Sequence, residues 1–123
     1  LGPLLMIILY WKKRKFLWLL NAEEHAYLKQ EMVRSVYVAK GVLRRNECDS
    51  LILDEIRVAT RNGLVELDGL RGVLSMKPAY MEVILTGRDA PQELIDMADL
   101  VTEMREVKHY FQQGVESRTG IEK

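Results

Sequence analysis

The sequence is poor in cysteine and histidine, and this scarcity excludes several kinds of site. Its 123 residues contain one cysteine, Cys48, and two histidines. One cysteine cannot close a disulfide within the chain or build a cysteine-based zinc site. A zinc finger with two cysteines and two histidines is excluded for the same reason. A lone thiol is compatible with a reducing compartment such as the cytoplasm.

The sequence also lacks an excess of either charge and a long hydrophobic run. Lys plus Arg and Asp plus Glu both number 18, so the net charge is zero. Because nucleic-acid binders normally carry a basic excess, we expect no nucleic-acid partner. The longest apolar run, Leu4 to Trp11, is far shorter than the about 20 residues of a membrane-spanning helix. Basic residues 12–15 follow this run, whereas those of a signal peptide precede it. We expect no membrane partner.

The phosphate-binding loop of P-loop proteins is missing as well. That loop reads Gly, four residues, Gly, Lys, and then Ser or Thr. Gly69 and Gly72 lie near Lys77, but the spacing differs and neither Ser nor Thr follows the lysine. The sequence also begins at Leu1 without an initiator Met, so we expect a fragment or a record that omits residues.

What is present is typical of one globular α/β domain that spans residues 1–123. Apolar residues make up 48% and charged residues 29% of the chain. Short apolar runs predict strands at 4–11, 51–53, 81–85 and 100–104. Periodicity and capping signals predict helices at about 22–45, 64–76 and 91–98, with a loop or helical turn at 56–62. This alternation favours a parallel sheet with right-handed crossovers.

The first helix has the clearest boundaries. Asn21 is a good N-cap, Glu24 completes a variant of the capping box, and Arg44 and Arg45 suit the C-terminal end. Helical spacing predicts an apolar face that contains Ala22, Ala26, Val33, Val36, Tyr37 and Leu43. Near residue 91, Pro91 suits the first position of the last helix, with Asp89 or Ala90 near the cap.

Polar residues follow two of the predicted strands. Asp54 and Glu55 close an apolar run, as the acids of a Walker B motif do, and such acids hold Mg²⁺. In the turn after the next strand, Gly87 permits close backbone approach and Arg88 suits phosphate oxygens. Ligands of parallel sheets bind beyond the carboxyl ends of the strands, where these residues are expected to converge. The alternatives are two acids that cap the next segment and an ordinary turn with a solvated arginine.

Two further sets of residues have both a functional and a structural interpretation. His109, beside Lys108 in the C-terminal part, suits an acid, a base or a ligand, or it is a structural or exposed residue. Phe16 and Trp18 flank a loop beside the basic residues 12–15 and suit the wall of a site for a large planar ligand. The alternative is that these aromatic rings seal an edge of the core.

Taken together, residues from about 16 to 123 resemble an ATP:corrinoid adenosyltransferase of the P-loop type. The segments that carry the resemblance are 51–55, 82–91, 98–104, 107–109, and the stretch that runs through Gly114 to 120–122. Their order and spacing are more specific than any single segment. The resemblance implies a three-layer Rossmann-like parallel sheet with helices on both faces, and a cytoplasmic homodimer.

The implied activity is transfer of the 5′-deoxyadenosyl group of ATP to the Co(I) of a corrinoid, with release of triphosphate. Asp54 and Glu55 match the acids that serve Mg-ATP (or its Mn²⁺ counterpart), and Arg88 matches the arginine near the triphosphate. The resemblance assigns Glu55 and Arg88 to catalysis, Thr86, Gly87, Lys108 and His109 to substrate binding, and Phe16 and Trp18 to the corrinoid side. Leu17 stands where the family has a threonine. A flavoprotein is the implied reductant.

The missing phosphate-binding loop leaves two other interpretations open. One is a degenerate, non-catalytic nucleotide or corrinoid binder of the same fold. The other is an unrelated ATPase of the P-loop fold. If the loop is truly absent, we expect the 123-residue chain to bind Mg-ATP weakly and to transfer nothing at a useful rate.

Overall fold

Three parallel strands form the sheet of the computed structural model, which describes residues 4–8, 21–61, 63 and 65–119. The strands lie side by side in chain order and are β1 (Leu4–Ile8), β2 (Ser50–Asp54) and β3 (Glu82–Leu85). Leu53 of β2 is in register with Ile7 on one side and Leu85 on the other. Because all three strands run the same way, their carboxyl ends meet at one edge. The α/β class and the parallel pairing expected from the sequence are both present.

Helices connect and follow these strands. Their bounds are α1 (Ala22–Arg45), α2 (Ile56–Arg61), α3 (Leu67–Leu74) and α4 (Gln92–Met97), and a 3₁₀ helix, η1, covers Tyr110–Gln113. Residues 56–61 are thus helical, which agrees with one of the two alternatives. Within the part of the chain that the structure describes, no helix combines the length and apolarity of a membrane span. The predicted strand residues 9–11 lie outside the described ranges.

The ends of α1 follow directly from local sequence. The Oδ1 of Asn21 accepts a hydrogen bond from the Glu24 backbone N–H at 2.8 Å, as predicted for an N-cap. Asn46 ends the helix in a left-handed conformation, with φ of 57°. Its backbone N–H donates to the Val42 carbonyl at 3.0 Å, which satisfies one of the free carbonyls of the last turn.

The buried face of α1 agrees with the predicted one only at Leu43, which is buried, and at Val36, which packs against the core. Its buried residues are Leu28, Met32, Ala39, Val42 and Leu43. The prediction was wrong for four residues, which are exposed: Ala22, Ala26, Val33 and Tyr37. Both stripes have helical spacing, so periodicity alone does not choose between them. The structure buries the stripe that contains the large side chains of Leu28 and Met32.

The described core lies between α1, the sheet and the helices that follow β2. Leu51 and Leu53 of β2 are buried, and Leu70 and Val73 of α3 belong to the same cluster. Successive side chains of a strand point to opposite faces. Ile52 and its register partner Ile84 therefore lie on the other face, where Ile84 is 47% exposed.

The C-terminal region departs from two predictions. Residues 100–104 were expected to form a fourth strand, but they have no regular structure, and Leu100 and Met104 are 83% and 94% exposed. No backbone hydrogen bond joins them to a described strand, and a strand needs such a partner. Pro91 occupies the N-cap of α4 and not its first helical position. Its carbonyl accepts from the Leu94 N–H at 3.0 Å, so the helix begins one residue later than expected.

Candidate functional site at the carboxyl edge of the sheet

Two polar residues from neighbouring strands meet at the carboxyl edge. Asp54 is the last residue of β2, and Thr86 directly follows the last residue of β3. Because Leu53 and Leu85 are in register, Asp54 and Thr86 come to lie opposite each other. The Thr86 backbone N–H donates to the Leu53 carbonyl at 3.2 Å, so the pairing of the two strands fixes the position of Thr86.

The hydroxyl group of Thr86 links Asp54 to Glu55. Thr86 Oγ1 donates to Asp54 Oδ1 at 2.5 Å and accepts from the Glu55 backbone N–H at 2.9 Å. An ionised carboxylate only accepts and a backbone N–H only donates, so the directions of both bonds are fixed. The three residues form one cluster, called here the acidic edge (Asp54, Glu55 and Thr86).

The backbone around the acidic edge adopts uncommon conformations. Glu55 has φ of 53°, in the left-handed region that few residues other than glycine enter. Gly87 has φ of 146° and Asp89 has φ of 53°, so the turn after β3 is also unusual. Such conformations persist only where surrounding contacts hold them in place, and they are frequent at functional sites. Here the bond from the Glu55 N–H to Thr86 is one such contact.

The turn after β3 carries Arg88 and is tied to α2. Arg88 is exposed, and the structure shows no ion pair between it and a described acid. The next residue is Asp89, whose Oδ2 lies 3.5 Å from Nη1 of Arg61 at the end of α2. Both side chains of this pair are largely exposed, so its contribution to stability is small. The pair nonetheless connects the two segments that follow β2 and β3.

The acidic edge contains two residues that could hold a cation. Asp54 and Glu55 offer carboxylate oxygens, which Mg²⁺ prefers. Among the described residues, no group of three or more His, Cys, Asp or Glu side chains could hold a metal ion. Mg²⁺ is usually bound by one or two carboxylates together with substrate phosphates. The carboxylates of Asp54 and Glu55 are donors of this type.

The remaining predicted site residues lie elsewhere along the chain. His109 caps η1, where its Nδ1 accepts from the Phe111 backbone N–H at 3.0 Å. The centroid of its ring lies 4.7 Å from the centroid of the Tyr110 ring. Lys108 is exposed. Phe16 and Trp18 lie outside the described residues. The structure thus joins Asp54, Glu55 and Thr86 directly and gives His109 a local capping contact.

Sequence reasoning missed two features of this region. The bridging role of Thr86 was not predicted, although a Thr and an Asp that follow paired strands were visible in the sequence. The pair between Arg61 and Asp89 was missed as well. No sequence signal pointed to it, because residues 28 positions apart meet only once the strands are paired.

The sequence is similar to enzymes of known name. The protein-family model described as ATP:corrinoid adenosyltransferase BtuR/CobO/CobP matches residues 4–122. A corrinoid adenosyltransferase of Pseudomonas aeruginosa is 38% identical over 85 residues, which are 69% of this chain and 42% of that protein. One of Sinorhizobium sp. is 39% identical over 68% of this chain and 40% of its own length. The corrinoid adenosyltransferase CobA of Salmonella typhimurium is 35% identical over 60% of this chain and 38% of its own length.

These matches have a defined extent. The chain spans about two-fifths of the length of the curated relatives named above. The family match, by contrast, covers nearly the whole chain, including the acidic edge and the turn that holds Arg88. The chain therefore belongs to the BtuR/CobO/CobP family of ATP:corrinoid adenosyltransferases.

Proposed function

We propose that this protein transfers the 5′-deoxyadenosyl group of ATP to the Co(I) of a corrinoid. The electron pair of Co(I) forms the bond to C5′, the C5′–O bond breaks, and its electron pair leaves with triphosphate. The cobalt of the corrinoid substrate is formally oxidised from Co(I) to Co(III), so the balance needs no further oxidant. The observation that carries the proposal is the acidic edge in a chain of this family.

The protein need not supply a nucleophile, because the reduced cobalt is the nucleophile. Its contribution is to position ATP and corrinoid, to neutralise charge and to exclude water. We assign Asp54 and Glu55 to the Mg²⁺ of Mg-ATP, with Mn²⁺ as an alternative cation. When bound, this cation neutralises the phosphates. The carboxylates of two consecutive residues at the end of β2 support this assignment, since Mg²⁺ prefers carboxylate oxygens.

We assign Arg88 to the leaving triphosphate. It follows Thr86 and Gly87 in the turn that begins at the acidic edge, and its guanidinium is exposed. Charge on the bridging oxygen grows as the C5′–O bond breaks, so a fixed cation there stabilises the transition state more than the ground state. Lys108 and His109 remain proposed substrate contacts, and Phe16 and Trp18 remain proposed contacts of the corrinoid.

Further proposals rest on the family resemblance. They are a homodimer, a flavoprotein that reduces the cobalt, and a cytoplasmic location. A three-layer P-loop-type sheet is also proposed. Ile84 supports it, because an apolar strand residue that is 47% exposed on the far face suits a covering helix.

Kinetics of Arg88 variants test the proposal. In an anaerobic assay of the full-length protein with ATP and a Co(I) corrinoid, Arg88→Ala should lower kcat by about 10²–10³, the usual effect of one lost transition-state donor. Arg88→Lys should recover part of this loss because it restores the charge without the planar fork. The matched control is Arg34→Ala on α1, whose side chain is 79% exposed and pairs with Glu31; kcat should stay unchanged. Equal kcat values for Arg88→Ala and the wild type would contradict the assignment.

The non-catalytic alternative makes a different prediction. A degenerate binder would take up nucleotide or corrinoid and release neither adenosylcorrinoid nor triphosphate. Binding without product in the full-length protein would favour it over the enzyme.

A further inference from the structure

The hydrogen bonds of the acidic edge limit what Thr86 can do. A threonine hydroxyl has one proton and two lone pairs. Its proton goes to Asp54 Oδ1, and one lone pair accepts from the Glu55 N–H. Phosphate oxygens at neutral pH mainly accept hydrogen bonds. While Thr86 holds Asp54, it has no proton left to donate to a phosphate.

The same bonds fix the orientation of the Asp54 carboxylate. Thr86 is held in place by its backbone bond to Leu53 on the neighbouring strand, and its β-branched side chain has few rotamers. Asp54 Oδ1 is therefore anchored to a rigid donor. In the part of the chain that the structure describes, Asp54 Oδ2 receives no hydrogen bond, so its lone pairs remain for a cation.

Thr86 also stabilises the backbone conformation of Glu55. The left-handed conformation is unfavourable in free energy for any residue that has a Cβ atom. The bond from the Glu55 N–H to Thr86 Oγ1 helps to hold this conformation in place. One hydroxyl thus orients both acidic residues, one through its carboxylate and the other through its backbone.

From this geometry we infer that Thr86 is a positioning residue, whose hydroxyl holds Asp54 and Glu55 in the arrangement that receives the cation of Mg-ATP. It acts through the two acids and does not contact the nucleotide. The inference rests on the proposed function, which supplies the Mg-ATP, and adds a division of labour within the turn. Thr86 positions the residues that bind the cation, whereas Arg88 binds the triphosphate.

Calorimetry of ATP binding to the full-length protein, with Mg²⁺ and with excess EDTA, tests the inference. Thr86→Val keeps the shape of the side chain and removes the hydroxyl. It should weaken Mg-ATP binding about 10–100-fold, the usual effect of losing a residue that orients a metal ligand. Binding of metal-free ATP should stay unchanged, and Thr86→Ser should restore Mg-ATP binding. Thr102→Val, in the exposed irregular segment, is the matched control and should behave as wild type.

Each outcome decides a stated point. Equal weakening with and without Mg²⁺ would mean that Thr86 binds the nucleotide, and it would overturn the inference while leaving the proposed function intact. A wild-type protein whose ATP affinity does not depend on Mg²⁺ would contradict the proposed function, and the inference would fall with it. If Thr86→Val does not fold, Thr86→Ala replaces it with the same expectations.

A double-mutant cycle tests the contact without any ligand. Thr86→Val should lower the midpoint of urea unfolding in the wild-type background and lower it less in an Asp54→Ala background, because the shared hydrogen bond is already lost. Equal shifts in both backgrounds would show that the two side chains do not interact, and the inference would be overturned.

Discussion

Asp54 and Glu55 are adjacent in sequence, but the backbone is extended at the first and left-handed at the second. Asp54 ends β2 in an extended conformation, and Glu55 turns into the left-handed region with φ of 53° before α2 begins. This turn takes the chain out of the sheet directly after the strand. It leaves the exposed Glu55 beside the half-buried Asp54 at the sheet edge.

Replacement of Glu55 by glycine should raise the stability of the fold and lower the affinity for Mg-ATP. Glycine enters the left-handed region at little cost, so Glu55→Gly should raise the free energy of unfolding by up to about 1 kcal/mol. The same variant loses a proposed Mg²⁺ ligand and should show a lower affinity for Mg-ATP. Urea unfolding and calorimetry measure the two effects. Glu55→Gln should lower the affinity alone.

Asn46 offers the matched control for Glu55. It has nearly the same φ, 57°, and ends α1 away from the acidic edge in sequence. Asn46→Gly should stabilise the protein by a smaller amount, because asparagine enters the left-handed region more readily than glutamate, and it should leave Mg-ATP affinity unchanged. A loss of affinity in both variants would show that the effect of Glu55→Gly is a general consequence of added flexibility.

Asn21 provides a direct test of the helix cap. Asn21→Ala removes the acceptor of the Glu24 N–H and should cost about 1 kcal/mol of unfolding free energy. Asn21→Asp keeps an oxygen acceptor and adds a charge that suits the helix N-terminus, so it should retain the wild-type stability. If urea unfolding gives the same midpoint for Asn21→Ala and the wild type, the cap does not contribute.

Leu70 and Leu100 test whether the irregular C-terminal segment contributes to the core. Leu70 on α3 is 1% exposed, whereas Leu100 is 83% exposed. Leu70→Ala should cost about 2–5 kcal/mol because it leaves a cavity. Leu100→Ala should change the unfolding free energy by less than about 0.5 kcal/mol. A large loss of stability for Leu100→Ala would mean that residues 100–104 pack as the predicted strand would.

His109 is tested by a substitution that keeps its hydrogen bond. The side chain of Asn accepts a hydrogen bond at an N-cap, so His109→Asn should retain the cap of η1, whereas His109→Ala should lose it. If capping is its main role, kcat of the full-length protein should be close to wild type in His109→Asn and lower in His109→Ala. Equal loss in both variants would instead indicate that the imidazole takes part in the reaction.

The sequence predicted the features that depend on local signals. The cap at Asn21 follows from neighbouring residues. The parallel direction of the strands and the placement of Asp54 and Thr86 at strand ends follow from the helices that connect the strands. The buried face of α1 could not be chosen by periodicity, since two stripes share the same spacing. The strand predicted at 100–104 failed because an apolar run forms a strand only where another strand offers hydrogen bonds.

The bonds of the acidic edge were beyond sequence reasoning for a related reason. The hydrogen bond between Thr86 and Asp54 joins residues 32 positions apart. It requires the register of β2 and β3 to be known to a single residue, because a slip by one position would turn each side chain to the opposite face. The left-handed turn at Glu55 is accompanied by the bond from its N–H to Thr86, and glutamate itself has no preference for this conformation.

The most direct test of the account is the stoichiometry of the proposed transfer. The full-length protein, supplied under anaerobic conditions with Mg-ATP and a chemically reduced Co(I) corrinoid, should form adenosylcorrinoid and triphosphate in equal amounts, and Asp54→Ala should form much less of both. Spectroscopy of the corrinoid and chromatography of the phosphates measure the two products. Neither product above background, or release of ADP and phosphate in place of triphosphate, would contradict the proposed function.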